Sequence, residues 1–495
     1  MTPHELPFDV RDSWTNHLGN QSVDPLRIYR PESIDQVAAI VAEAERTGVT
    51  TRVVGSGHSW SDVALTTGFV IQTDLLADAP SAEPDFLRPE WSDRSLVRVG
   101  AGIRIRELNT YLDGQGLALS NMGGYDHQTV AGVISTSTHG SGIGFGPLND
   151  LVRSLDMVAG NGRVYRIEPS DGPTDPEAYV AQNGERRTLC QSDAWFYAAS
   201  VSMGCMGVVC TAMLEVEPRY FLKEVREFHT WEKVRADLEK GEVLRRNRHY
   251  EVLFSPYIRK HAYPCLVTTR NRTESPENKW FDKRARNWAV ELASAFPLTP
   301  HIINLIVDLK PDLSPFLLEN AIRALIKDEY DEVSYKVLNI GAANVLPAYS
   351  AEIGVPMDGR HIEAVERIIA VAAERRRLGE AYQSSPISFR FVKASPAYLS
   401  MMNGRDTMMI ELIQLSRCDG GYELLAAYEE ALYELGGRPH WGQVNTLTGS
   451  HGLVDSMYPR YADWLDLRGR LDAGGVFDST FTKRVGISEE RFSSG

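Results

Sequence analysis

The sequence predicts an α+β chain of two or three domains on three observations. At 495 residues the chain exceeds what one ordinary core fills. Its first fifty-odd residues spell a strand, a helix and a strand that run into a turn of small residues. From about residue 220 to 420 the texture changes to strands alternating with long helices, with no repeat at a fixed period and no low-complexity tract.

After a polar lead containing Trp14, the segment between Pro25 and Pro31 reads as a short strand. Pro31-Glu-Ser-Ile34 then opens a helix, with Ile34, Val37, Ala38, Ile40, Val41 and Ala44 recurring at helical spacing until Gly48 stops it. Thr51–Val54 returns as a strand and completes a β-α-β unit. Phe69–Leu75 and Ser95–Gly100 are further strands, and Ile105–Gly114 is a short helix. Leu151–Ile167 reads as two strands around the turn Ala159–Gly162. Asp171–Arg187, rich in Pro, Gly, Asp and Glu, reads as a surface loop. Beyond Pro218, Ser314–Ile326 is a helix with Ser314 as N-cap and Pro315 as first helical residue. Arg360–Leu378 is a longer one, apolar on one face, whose Arg375-Arg376-Arg377 run suits a solvated helix end.

Composition narrows the function classes. Hydrophobic residues at 43% and charged residues at 24% suit a soluble globular protein. A net charge of −14 argues against a nucleic-acid partner, which needs basic surface. Five widely spaced cysteines show neither metal-ligand spacing nor a disulfide framework, so a reducing cytoplasm and no metal are expected. Neither a signal peptide nor an apolar run of membrane-spanning length is evident, so no membrane association is expected.

Two stretches carry chemistry. Arg52-Val-Val-Gly55-Ser56-Gly57-His58-Ser59-Trp60-Ser61-Asp62 sends a strand end into glycines and serines, where free amides form a concave nest for anionic oxygens. Leu119–Gly142 packs Gly, Ser and Thr so densely that backbone must approach something flat or charged. Taken singly, each is also the composition of an ordinary turn.

Together they resemble the FAD-contacting segments of the vanillyl-alcohol-oxidase type of flavoenzyme, closest to its aldonolactone and alditol oxidases. That resemblance implies a two-subdomain PCMH-type FAD-binding domain over residues 1–218. It also implies an α+β substrate (cap) domain with an antiparallel sheet over 219–450, and a segment 451–495 returning to the first domain. Val54, Gly55, Ser56, Gly57, His58, Ser59, Trp60 and Ser61 match the phosphate loop, and His58 stands where relatives bond FAD covalently. Asn121, Gly123, Gly124, Thr129, Gly132, Ser135, Thr138, His139 and Gly140 match the second segment, in which Gly123 stands at the position beside the flavin that admits oxygen. Gly204, Gly207, Val208 and Val209 match a third, while His440 and Asn445 belong to a late His-Trp-Gly motif. No cysteine lies between Asn121 and Gly142, so a single covalent attachment is expected.

On the substrate side the chain departs from its relatives. Where alditol-oxidising enzymes carry Glu-x-Arg, this chain has Ser388-Phe389-Arg390; where they carry histidine it has Glu411; where they carry lysine it has Gln443. Arg390 is the expected electrostatic partner of the reacting oxygen. Glu411 is either the proton acceptor or a structural partner of Arg390, and Glu352 either orients Arg390 or is structural as well. Gln443 keeps hydrogen-bonding capacity without charge. The expected activity is an FAD-dependent oxidase taking hydride from a small-molecule alcohol such as a polyol or sugar lactone, with O2 as acceptor. A dehydrogenase or tailoring enzyme of a specialised metabolite, and a flavoprotein without turnover, are the alternatives.

Overall fold

The structure, a computed structural model, describes residues 8–9, 13–77, 80–81, 85–274, 310–326, 329–340, 348–416, 418–449 and 452–488. The opening unit forms as β1 (Arg27–Tyr29), α1 (Ile34–Thr47) and β2 (Thr51–Val54). Ser33 accepts the Gln36 amide at the start of α1, and Gly48 takes the left-handed cap at φ 67° at its end. β3 (Phe69–Gln72) lies parallel between β1 and β2, and Phe8–Asp9 pairs antiparallel on the outer edge of β1. The apolar stripe of α1, Val37, Ile40, Val41 and Ala44, packs with Tyr29, Phe69, Val158 and Val208, which ties this sheet to the next.

The second sheet is built from β4 (Leu96–Gly100), β5 (Val152–Val158), β6 (Val164–Glu168), β7 (Arg187–Gln191) and β8 (Val208–Glu215), in the order β7-β6-β5-β8-β4. Helices α2 (Ile105–Gly114) and α3 (Val130–Ser135) pack into the same core through Leu108, Leu112, Val130 and Ile134. The expected loop over Asp171–Arg187 contains a helix, α4 (Pro176–Asn183). Asp175 caps it by accepting the Ala178 amide, Pro176 occupies its first turn, and Tyr179 alone is buried. The apolar residues Ala178–Ala181 are consecutive and give no helical periodicity, so the capping signal was hidden by loop-like composition.

The third sheet is antiparallel and eight-stranded. Its strands are β9 (Phe221–Thr230), β10 (His249–Phe254), β11 (Pro264–Thr273), β12 (Tyr330–Val333), β13 (Ala348–Pro356), β14 (Ile387–Val392), β15 (Thr407–Leu415) and β16 (Arg438–Pro439), ordered β12-β9-β11-β10-β14-β15-β13-β16. Strict alternation divides its faces. Ile353, Phe389, Phe391, Ile410 and Leu412 point toward Ile362, Val365 and Ile368 of α6 (Arg360–Leu378) and Leu424, Leu425 and Tyr428 of α7 (Gly421–Tyr433). Their neighbours Glu352, Arg390 and Glu411 face the other way, into a chamber. A one-residue slip of any strand would exchange these sets.

Helix α5 (Ser314–Ala324) starts one residue earlier than expected. The chain is already helical at Leu313, part of a 3-10 turn from Pro311, so Ser314 is the first residue of the helix and not its cap. Its buried hydroxyl has no hydrogen-bond partner among the described residues. The arginine run ending α6 forms surface ion pairs, Arg375 with Glu380 and Arg377 with Glu374. Late in the chain, α8 (Tyr461–Leu471) returns to the first two sheets: the Trp464 indole donates to the Ala198 and Val201 carbonyls, and the Thr51 amide donates to Val476. Among the described residues no helix is long and apolar enough to cross a membrane.

Candidate active site

The turn after β2 is held from three sides. The His17 amide donates to Gly57, the Trp60 amide to Gly442, and the Ser61 hydroxyl to the Trp441 carbonyl. A Cβ on Gly55 would stand 2.1 Å from the Thr129 hydroxyl, so only glycine lets this turn approach the start of α3. Gly57 takes φ 70°. The turn, α3 and the 203–209 segment line a cavity that opens to solvent, with about 870 Å³ of space counting its open mouth.

Among the described residues no carboxylate lines that cavity. Arg52 does, buried to 2% exposure, and its guanidinium donates to the Val63, Met203, Gly204 and Phe477 carbonyls. A buried cation with carbonyl partners favours an anion beside it. The nest and this charge fit the pyrophosphate of a dinucleotide such as FAD.

A second cavity, of about 1280 Å³, is roofed by the polar face of the third sheet and shares His58, Gln128 and Thr138 with the first. His58 sits where the two meet. Its ring lies 4.2 Å from that of His17 and 4.7 Å from that of Tyr125. Burial, then the charges of His17, His127 and Arg104, push His58 down to about 3, so its ring is neutral at physiological pH.

Across the chamber stands Arg390. Its Nη1 lies 3.4 Å from Glu352 and its Nη2 3.0 Å from Glu411, while Glu251 faces it from β10. Burial works against ionisation of Glu352, yet His139, Arg390 and His440 outweigh it and hold that carboxyl well below the usual range. Glu411 goes the other way: burial raises it, Glu352 adds to the rise, and Arg390 only partly compensates. His440 is pushed down to about 4, chiefly by burial. Gln443 accepts from Ser350 at 2.8 Å.

Of the expected cofactor contacts, Val54, Gly55, Ser56, Gly57, His58, Ser59, Thr129, Gly132, Ser135, Thr138, Gly204, Gly207 and Val209 line the first cavity. Trp60, Gly123, Gly124, His139 and His440 line the second. Five line neither. Val208 is in the α1 core, Ser61 and Asn121 spend their side chains on the Trp441 and Ser141 carbonyls, and Asn445 is held by Arg484. Gly140 is there for Asn121, whose side-chain oxygen a Cβ would meet at 2.3 Å. All five brace the walls. Sequence reasoning missed Arg52, Tyr125 and Gln128, and also Glu251 and Arg270, which pair at 2.9 Å. The last two sit in strands with only an alternating pattern to mark them.

The sequence profile of an FAD-binding domain matches residues 25–168. That of D-arabinono-1,4-lactone oxidase matches residues 212–485, more than half of the chain. The chain belongs to the D-arabinono-1,4-lactone oxidase family.

Relatives within this group run the length of the chain. An L-gulono-1,4-lactone dehydrogenase of Mycobacterium tuberculosis is 27% identical over 95% of this chain and 98% of its own. An L-gulonolactone oxidase of Bos taurus is 26% identical, covering 93% and 95%. An alditol oxidase of a Streptomyces species is 27% identical, covering 95% and 98%. Two solved cholesterol oxidases share the fold, with TM-scores of 0.76 and 0.77 over 98% of this chain and 99% of theirs, at 16% and 13% identity. The fold is thus the PCMH-type arrangement of an FAD domain and an α+β partner with an antiparallel sheet. The protein is an FAD-dependent oxidoreductase of CH–OH donors, of the oxidase kind.

Proposed function

We propose that the chain oxidises a polyol, a sugar lactone or a related small-molecule alcohol, with FAD attached covalently through His58 and O2 reoxidising it. The observation that carries this reading is the junction of the two cavities at His58, opposite Arg390 and its carboxylates. When bound, FAD supplies the hydride acceptor. The chain's own residues do the rest. Arg52 and the turn after β2 hold the dinucleotide, and the neutral His58 ring supplies the nucleophilic nitrogen of the link.

Arg390 holds the substrate hydroxyl and stabilises negative charge that develops on it. Glu411, raised and lining the chamber, takes the hydroxyl proton. Glu352 and Gln443 orient Arg390 and the substrate. Gly123 leaves space for oxygen: a Cβ there would only reach ordinary contact with Thr138 and His139. We read residues 1–218 as the FAD domain, 219–450 as the substrate domain and 451–495 as the returning segment. Five cysteines without metal-ligand spacing or a disulfide framework suit a reducing cytoplasm.

An oxygen-consumption screen over alditols, aldonolactones, oligosaccharides and hydrophobic alcohols tests the substrate class. Turnover confined to hydrophobic alcohols would overturn it. The Mycobacterium relative's name favours a second reading, a dehydrogenase. Rapid turnover with an artificial electron acceptor and none with oxygen would establish that reading instead.

A further inference from the structure

The roof of the chamber carries two adjacent rows of side chains, fixed by strand register. The first starts at Glu352 on β13, which His139 meets at 3.3 Å, and crosses to Glu411 on β15, Ser388 on β14, Leu253 on β10 and Leu266 on β11. The second starts at Arg390 on β14 and crosses to Glu251 on β10, Thr268 on β11 and Arg226 on β9. Every one of them lines the chamber. Neighbouring strands lie about 4.8 Å apart, so the second row runs about 14 Å from Arg390 to its far end. That is more than one lactone ring or one hexitol chain occupies.

The two rows differ in chemistry. Past Ser388 the first is apolar, and Leu253 and Leu266 join Ile322 of α5 and Leu325 just beyond it in one cluster. The second stays polar to its end, where the Arg226 guanidinium donates to the Leu325 carbonyl at 3.2 Å. Its charges are matched within the protein. Glu224 lies 2.9 Å from both Arg226 and Arg270, and Arg270 lies 2.9 Å from Glu251. Two guanidiniums and two carboxylates therefore cancel at this end, and a charged ligand group would leave one buried charge uncompensated. A neutral group bearing hydroxyls can use the lone pairs and N–H groups that remain. An apolar stripe beside a polar one suits a saturated sugar ring, whose faces present C–H bonds and whose rim presents hydroxyls.

We propose that the far end of the chamber is a second sugar subsite, so that the preferred substrate is a neutral glycosylated alditol. Its free polyol end is oxidised beside Arg390. Its glycosyl ring lies over Leu253 and Leu266, with hydroxyls on Glu251, Thr268 and Arg226. Ser388, between Glu411 and Leu253 in the first row, is the small residue that lets one molecule span both parts. The inference rests on the reading of this chamber as the alcohol-oxidising site.

Anaerobic cofactor reduction in the holoenzyme tests it, with sorbitol compared with maltitol, which is sorbitol carrying a glucosyl ring. Comparing two substrates within one enzyme cancels losses of folding or cofactor loading. In wild type the second-order rate constant of reduction should be roughly tenfold or more higher for maltitol, the equivalent of one or two good hydrogen bonds. Thr268→Val, which removes one hydroxyl at constant shape, should lower that preference roughly three- to tenfold. Ser388→Gln, which fills the step between the two parts, should abolish it. Sorbitol matching maltitol in wild type would overturn the proposal, as would a preference that neither variant moves. An O-alkyl sorbitol matching maltitol would assign the far end to apolar groups, and a glucuronosyl sorbitol surpassing it would assign that end to anions; either result also overturns the second sugar. Failure of the underlying reading looks different: neither sorbitol nor maltitol would then reduce the cofactor at all.

Discussion

Arg390→Lys isolates what the guanidinium fork contributes. Two different nitrogens of Arg390 reach two carboxylates, Glu352 at 3.4 Å and Glu411 at 3.0 Å. Lysine keeps the charge but has one nitrogen, so it contacts one carboxylate and abandons the other. Moving a unit charge from about 3 to about 6 Å from its partner at an effective dielectric near 20 forfeits about 3 kcal/mol. With only 16% and 15% of the Arg390 and Glu411 side chains exposed, screening recovers little of that. If the reacting oxygen depends on the same geometry, substrate-driven cofactor reduction slows by roughly 10². Anaerobic stopped-flow at saturating substrate measures it, with thermal unfolding followed in parallel. Arg390→Met should behave differently, costing about 3–5 kcal/mol of stability because three carboxylates lose their common cation. Reduction of Arg390→Lys at the wild-type rate, or a loss confined to KM, would show that the fork does not act on the reacting oxygen.

Acid precipitation should leave the yellow colour with the wild-type pellet and release it from His58→Ala; colour in the wild-type supernatant would refute the covalent link. Gly123→Leu should slow reoxidation by oxygen more than cofactor reduction, and equal effects would mean that this position is no oxygen gate. Glu411 is raised, so the reduction rate should fall as pH drops through a value above that of an exposed glutamate, and Glu411→Gln should lower the rate and abolish that limb. A preserved limb would leave Glu411 only a partner of Arg390. His249 is fully buried and pushed down to about 3, mainly by burial, whereas unfolding restores an ordinary imidazole near 6.5. The unfolded chain therefore binds the extra proton first, and stability present above about pH 6.5 is lost as pH falls toward 3, by about 2 kcal/mol at pH 5. His249→Gln should show a smaller drop in melting temperature between pH 7.5 and 5 than wild type; an unchanged drop would assign the acid lability elsewhere.

The β-α-β unit, the phosphate turn and helices such as α2 and α6 were legible from the sequence, because each is specified within one stretch of chain by periodicity, caps and glycines. Glu352, Arg390, Glu411 and Gln443 were nameable in the same way, being embedded in recognisable local patterns. Their partnership was not legible. Glu352 and Arg390 are 38 residues apart in sequence and meet because β14, β15 and β13 are adjacent in one sheet. Glu251 joins them from β10, where no local signal marks it. The loss of the acid at Ser388 looked like a rebuilt pocket, and the fold restores negative charge around the arginine from neighbouring strands. Sequence chose the groups and the face of each strand; strand order alone decided which charges stand within reach of one another. The physical reason is that alternation is written locally, residue by residue, whereas pairing between strands is set by packing of the whole sheet against α6 and α7.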